Sequence, residues 1–311
     1  MEDPTEPTPP PALEPGTLWS RVRERSIHAL GTGALAPIET RAETIRQAGI
    51  PFSIRVVSSL RRKDEAREGD GRGRPEPFFP PDPDLLVGEL TPTHRAVLNR
   101  FPVLAHHLLI VTRAPEPQGR PLDRADFDAT ARCLAEVDGL VFYNSGPEAG
   151  ASQPHRHLQL LPFPVGNGPE PTPIERALAP VLQDPGRATL PAYDFIHAAA
   201  PLPATAWQAD EPVRRAAEAM ALGYRALAGR TGLRLRPDDA SSPYNLLVTR
   251  RWMLLVLRSR ERFDGVSVNA LGFAGSLLVK DEAGLETVRR HGPLAVLRAV
   301  GVGIERNEAA P

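Results

Sequence analysis

Polar and apolar positions alternate with a helical period soon after a proline-rich start. Leu18, Trp19, Val22, Ile27 and Leu30 are interleaved with Arg and Glu, which predicts an amphipathic helix from about Thr17 that ends near Gly31 and Gly33. The period then falls to two, and Phe52, Ile54 and Val56 predict a strand over 49–60. A charged and then Gly- and Pro-rich stretch, 61–84, reads as a long excursion placed to cover a site. FPVLAHHLLIVT, 101–112, is an apolar run of the length of a buried strand. Asp123 is placed to cap a helix with Phe127, Ala131, Leu134 and Val137 on one face, stopped by Gly139. LVFYNS (140–145) and QPHRHLQLLPF (153–163) flank a loop rich in small residues, which predicts an antiparallel pair.

Farther on, the pattern predicts a helix from Pro212 to Ala228, adjacent strands at Tyr244–Thr249 and Trp252–Arg258, a strand-like run over 266–279, and a closing helix from about Pro293 to Val300. Helices and antiparallel strands without regular βαβ alternation make the fold class α+β. The first 16 residues hold six prolines and little to bury, which reads as a disordered tail.

Composition narrows the function. With 311 residues, 41% of them hydrophobic, the chain can bury a full core without a disulfide or metal staple. Lys+Arg 37 against Asp+Glu 38 gives a net charge of -1, so no global field recruits nucleic acid or an anionic membrane. Only Lys63 and Lys280 are lysines; with 35 prolines also present, the arginine excess reads as base composition, not as phosphate binding. The lone Cys133 excludes an internal disulfide framework and fits a reducing cytoplasm. The acidic start does not read as a signal peptide, and no apolar run is long enough to span a membrane.

The chemistry concentrates in NSGPEAGASQPHRHLQLLP, 144–162. On a strand His155, His157 and Gln159 share one face, while Arg156, Leu158 and Leu160 take the other. Gly146, Gly150, Ala151 and Ser152 let backbone N–H groups approach a ligand, and Asn144 adds an amide across the hairpin. Such donors around a histidine suit a phosphoryl or nucleotidyl group. Taken alone, two alternating histidines also fit a packed core or a pair of metal ligands. The metal reading asks for a carboxylate or third histidine nearby, and Gln159, Leu160 and Leu161 follow instead. An amide binds a phosphate oxygen but exchanges no proton near neutral pH, which favours transfer over acid–base hydrolysis.

At these residues the chain resembles the transferase branch of the histidine-triad superfamily, with His-x-His-x-Gln at its centre, and within it the diadenosine tetraphosphate phosphorylases, or ATP adenylyltransferases. GIPFSIRVVS, NRFPVLAHHLLIVTR, FYNSGPEAGASQPHRHLQLLP, SPYNLLVTRRWMLLVLRSRE and VNALGFAGSLLVK are similar to blocks of that family in the same order. The resemblance implies a histidine-triad-like antiparallel sheet flanked by helices, with a tail over 1–17, a catalytic region over 18–190 and a C-terminal region over 191–306 completing the nucleotide cleft. It implies that His157 is the nucleophile, that Gln159 holds the phosphate, that His155 supports the geometry, and that Asn144 and Gly150, Ala151, Ser152 and Gln153 contact the polyphosphate. Arg55, Asn99, Arg100, Tyr244 and Asn245 are implied as further substrate contacts. The partners implied are a dinucleoside polyphosphate, ATP, ADP and inorganic phosphate. Mg²⁺ or a similar divalent cation would come with the substrate, with no organic cofactor and no protein cage for the metal. Two alternatives stay open: transfer to a sugar phosphate on the same scaffold, and a nucleotide sensor without turnover.

Other residues read as structural. His106 and His107 lie in an apolar run, and at least one of them is expected in the core or at a strand edge; Arg250-Arg251 reads as a solvated turn and Gly272–Ser276 as a packing turn.

Overall fold

A single antiparallel sheet takes strands from both halves of the chain. The computed structural model describes residues 12–57, 77–184, 186–208, 210–236 and 242–304. In chain order its strands are β1 (Thr40–Gln47), β2 (Ile50–Val57), β3 (Leu86–Glu89), β4 (His94–Leu98), β5 (Leu108–Thr112), β6 (Gly139–Asn144), β7 (His157–Pro162), β8 (His197–Pro201), β9 (Tyr244–Val248), β10 (Trp252–Leu257), β11 (Arg262–Phe263), β12 (Val266–Ser267) and β13 (Ser276–Val279). The helices are α1 (Leu18–Thr32), α2 (Arg124–Glu136), α3 (Glu175–Gln183), α4 (Pro212–Thr231), α5 (Ala270–Phe273), α6 (Glu282–His291) and α7 (Pro293–Val300).

The large sheet runs β3-β4-β5-β7-β6-β9-β10-β8, and β6 pairs antiparallel with β9, so the two regions expected to divide near residue 190 share one hydrogen-bond ladder. A second sheet, β1-β2-β13, is closed by β13 running parallel to β2. Because side chains alternate along a strand, the large sheet has two apolar faces. Val141, Tyr143, Leu158 and Leu160 pack with α1, α2 and α4 on one. Leu140, Phe142 and Leu161 pack with Phe52, Ile54 and Val56 of the small sheet and with the C-terminal helices on the other. Each fully buried Leu or Phe contributes about 1.5–3 kcal/mol.

Local signals explain the elements that carry the site. Asp123 accepts from the N–H groups of Ala125 and Asp126, and Asp126 accepts in return from Asp123 N–H, closing a capping box that starts α2. Gly139, where β6 begins, lets β6 and β7 meet: a Cβ there would lie 2.4 Å from the Leu161 carbonyl oxygen.

Three expectations are corrected. Part of the proline-rich start is ordered: Leu13 is buried, its N–H donates to Glu89 O at 2.9 Å, and Glu136 accepts from Gly16 and Leu18 N–H. Residues 1–11 and most of the 61–84 excursion lie outside the described residues. The apolar run 101–112 supplies only β5, because Asn99 binds the Phe101 N–H and His106 takes φ 58°, turning 99–107 into a loop. The run 266–279 is not one strand but β12, α5 and β13, with the Asn269 side chain capping Leu271 N–H.

Candidate active site

β7 begins at His157, after loop 145–156 has opened the β6–β7 hairpin. Gln159 pairs with Phe142 and Leu109, and His157 with Val111, so both side chains lie on the same face of the sheet as Phe142. Arg156 takes the opposite face, as expected, and is buried there. Its Nη1 lies 3.1 Å from Asp126 Oδ2 and 3.1 Å from Glu116 Oε2, and the other oxygen of Asp126 lies 3.1 Å from His94 Nε2. This ion-paired cluster anchors the start of β7 to α2.

Where the hairpin ladder is interrupted, Gln118 replaces it. Its Oε1 accepts His157 N–H at 2.8 Å, and its Nε2 donates to Asn144 O at 2.9 Å and His157 O at 3.1 Å. Gln118 is in turn held by the Tyr143 hydroxyl, which donates to its backbone oxygen. No motif or periodicity signals this role, because Gln118 lies in a loop far from the His-x-His-x-Gln stretch.

The imidazole of His157 is fixed by its own chain. Nδ1–H donates to His155 O at 2.8 Å, which puts the proton on Nδ1 and leaves the Nε2 lone pair without a partner among the described residues. Burial pushes the His157 pKa down to about 4 against the opposing pull of the His155 carbonyl bond, with nearby His155 lowering it further. The ring is therefore neutral across the physiological range. His155 Nε2–H donates to Thr112 O at 2.9 Å, with Thr112 Oγ1 at 3.0 Å, tying the motif to β5. Phe78, just beyond the undescribed part of the excursion, lies against both rings, its centroid 5.3 Å from that of His157 and 5.7 Å from that of His155.

Two carboxamides, those of Asn144 and Gln159, stand near His157 in the hairpin. Asn144 Oδ1 accepts from Asn245 Nδ2 at 2.8 Å and from Ala270 N–H at 2.9 Å, so Nδ2 is the group Asn144 can offer a ligand. Behind it, Asn245 also donates to Ala149 O and accepts from Arg258 Nη1 at 2.6 Å. Arg258 is buried against backbone oxygens of Ala149, Val300, Arg260 and Glu261 and over the Phe273 ring. Burial lowers its pKa to about 10, partly offset by Glu261, and it remains a cation. On the other side, Gln159 Oε1 accepts from His107 Nε2, at 3.0 Å.

The remaining expected contacts are placed unevenly. Gly150 has φ 90°, and a Cβ there would lie 2.9 Å from Val268 O. The loop is less of an anion nest than expected, because Gly150 N–H donates to Pro147 O and Ala151 N–H to Gly146 O. Ser152 is exposed and Gln153 half-buried at the loop's end. Asn245 uses its Nδ2 to hold Asn144 and Ala149 and its Oδ1 to accept from Arg258. Tyr244 points to the opposite face of the sheet, fully buried, with its hydroxyl 2.7 Å from that of Tyr224. Arg55 lies on the face of β2 away from Phe52, Ile54 and Val56, and donates to Asn167 Oδ1 at 3.1 Å, not to any residue of β6 or β7. Arg100 is an exposed side chain 3.7 Å from Asp82. Among the described residues Asn99 is joined to the site through His107, its Nδ2 3.0 Å from His107 Nδ1. Gln118, His107, Phe78 and Arg258 are the residues that periodicity and motif spacing missed. Among the described residues no cluster of three or more His, Cys, Asp or Glu is arranged to hold a metal.

A neutral histidine with one free ring nitrogen, set between oriented amide donors, can attack a phosphorus whose oxygens those donors hold. That is the constellation of a group-transfer enzyme. The particular family follows from comparison: residues 8–180 match the Ap4A phosphorylase N-terminal domain and residues 191–303 the ATP adenylyltransferase C-terminal domain, and the chain belongs to the Ap4A phosphorylase family. It is 27% identical over 299 residues to diadenosine 5',5'''-P1,P4-tetraphosphate phosphorylase 2 of Saccharomyces cerevisiae, covering 87% of this chain and 90% of the relative. It is also 27% identical to the Protein APA1 of the same yeast, covering 86% and 88%. In structure it is similar to yeast Ap4A phosphorylase Apa2, with a TM-score of 0.76 at 23% identity over 94% of this chain and 96% of that one. The same enzyme in complex with Ap4A gives 0.70 at 25% identity over 92% and 97%.

Proposed function

We propose that this nucleotidyltransferase cleaves diadenosine tetraphosphate with inorganic phosphate, giving ATP and ADP. The observation that carries the reading is the His157 tautomer: with Nδ1–H held by His155 O, the Nε2 lone pair is available at neutral pH without a general base. Family membership and the yeast relatives support the substrate. In the first step Nε2 attacks the α-phosphorus, the P–N bond forms, and the P–O bond to ATP breaks with the electron pair leaving on ATP. In the second, a phosphate oxygen attacks the adenylyl-histidine, ADP leaves, and Nε2 regains its lone pair. Gln159 and Asn144 donate to the phosphoryl oxygens on which charge builds up, and their preorganisation in a buried site is the main electrostatic contribution. The residues of loop 150–153 line the polyphosphate path. Mg²⁺ arrives with the substrate and screens its charge. Turnover takes place in the cytoplasm, where the buried thiol of Cys133 stays reduced.

The test is product chromatography after incubation with diadenosine tetraphosphate and Mg²⁺, with and without phosphate, beside His157→Ala. ATP plus ADP formed only with phosphate, and lost in the variant, is the expected result. ATP plus AMP without phosphate would make the enzyme a hydrolase.

A further inference from the structure

A carboxamide can turn either its oxygen or its NH₂ group toward a ligand, and only the NH₂ group serves a phosphate. Which end Gln159 presents depends on what holds its other end. That holding group is His107, buried at the end of loop 99–107 where β5 begins, with its ring against Phe142 at 5.9 Å. We infer that His107, set by Asn99, is a positioning residue that fixes Gln159 as a hydrogen-bond donor to the transferred phosphoryl group. The inference rests on the reading of Gln159 as a phosphate ligand given above.

The direction of the relay follows from its first member. Phe101 N–H is a backbone group and can only donate; it donates to Asn99 Oδ1 at 3.1 Å, which makes the other end of Asn99 an NH₂ group. That group lies 3.0 Å from His107 Nδ1, which must therefore accept, placing the ring proton on Nε2. Nε2–H then donates to Gln159 Oε1 at 3.0 Å, so the NH₂ group of Gln159 is the end left for the ligand. The loop that carries the relay is closed by a backbone bond as well, from Asn99 N–H to His107 O at 2.9 Å. Each link fixes the polarity of the next. The sequence conceals the relay, since Asn99 follows β4, His107 precedes β5 and Gln159 lies within β7.

The experiment is a double-mutant cycle on phosphorolysis, with His107→Phe, Gln159→Ala and the double variant, and His107→Gln as the conservative replacement that keeps an N–H donor. His107→Phe is expected to lower kcat about 10- to 30-fold, less than the 10²–10³ of deleting a transition-state donor outright, with KM changed by no more than about threefold. His107→Gln should recover part of the loss. In the Gln159→Ala background, His107→Phe should change kcat by less than about twofold, because the route through the Gln159 amide is already gone. An equal loss in both backgrounds would overturn the relay and leave Gln159 as a ligand. An unaffected kcat in Gln159→Ala alone would overturn the reading of Gln159 itself. Should the phenylalanine variant fail to fold, ¹⁵N NMR of the wild-type imidazoles decides: a proton on His107 Nε2 is expected, and a proton on Nδ1 contradicts the relay.

Discussion

Two parts of the chain run through the same succession, a long helix followed by two antiparallel strands: α2, β6 and β7 in the first half, and α4, β9 and β10 in the second. Their strands lie side by side as β7-β6-β9-β10, and Asn144 and Asn245 stand opposite one another at the seam. The second hairpin is closed tightly, with Thr249 Oγ1 accepting the N–H groups of Arg251 and Trp252. Every residue of β9 and β10 is buried. The first hairpin is pried open by loop 145–156, its ladder interrupted and patched by Gln118. The proposed chemistry is placed where the ladder is interrupted, because there an imidazole nitrogen of His157 comes together with the side-chain amides of Asn144 and Gln159. The intact hairpin contributes from behind, through Asn245 and Arg258.

The largest effect should come from the open hairpin itself. His157→Ala removes the proposed nucleophile and is expected to lower phosphorolysis by at least about 10³-fold in steady-state assays, with thermal stability little changed. In the closed hairpin the prediction inverts. Arg258→Met leaves Asn245 Oδ1 and several carbonyl oxygens without their donor, and should cost about 3–5 kcal/mol in urea unfolding, with activity falling as Asn144 loses its brace.

A pH series sharpens the same contrast. Burial lowers the His157 pKa to about 4, so the unfolded chain binds this proton more readily than the folded one. The associated stability is full above the unfolded value near 6.5 and is lost as pH falls toward 4, by up to about 3 kcal/mol. Urea titrations of wild type and His157→Phe at pH 7 and pH 4.5 should differ in that direction, with the wild type losing more. The smallest effect should be Tyr244→Phe. It removes one hydroxyl pair with Tyr224 on the far face of the sheet, costs about 1 kcal/mol, and leaves kcat unchanged. A large drop in kcat would return Tyr244 to the substrate.

How much of this was legible follows from what is local. The alternation of His157 and Gln159 and the capping signature at Asp123 are short-range signals, and the structure places both as expected, whereas the small-residue loop before them spends the Gly150 and Ala151 N–H groups on its own carbonyls. What was missed is held by partners distant in sequence. Gln118 acts on Asn144 and His157, Arg258 on Ala149, and Glu136 on Gly16 and Leu18, and none of these pairings leaves a periodic trace. Apolar content alone misread 101–112, where a side chain to backbone bond at Asn99 overrode the strand pattern, and 266–279, where the Asn269 cap and Gly275 at φ 86° broke it.

The central claim is that the adenylyl group passes through His157. It is tested most directly by incubating the enzyme with unlabelled diadenosine tetraphosphate and radiolabelled ATP in the absence of phosphate and ADP. A covalent adenylyl-histidine returns to dinucleotide by capturing labelled ATP, so label should enter diadenosine tetraphosphate with the wild type and not with His157→Ala. An enzyme active in phosphorolysis that exchanges no label, or a variant that still exchanges it, would contradict the account.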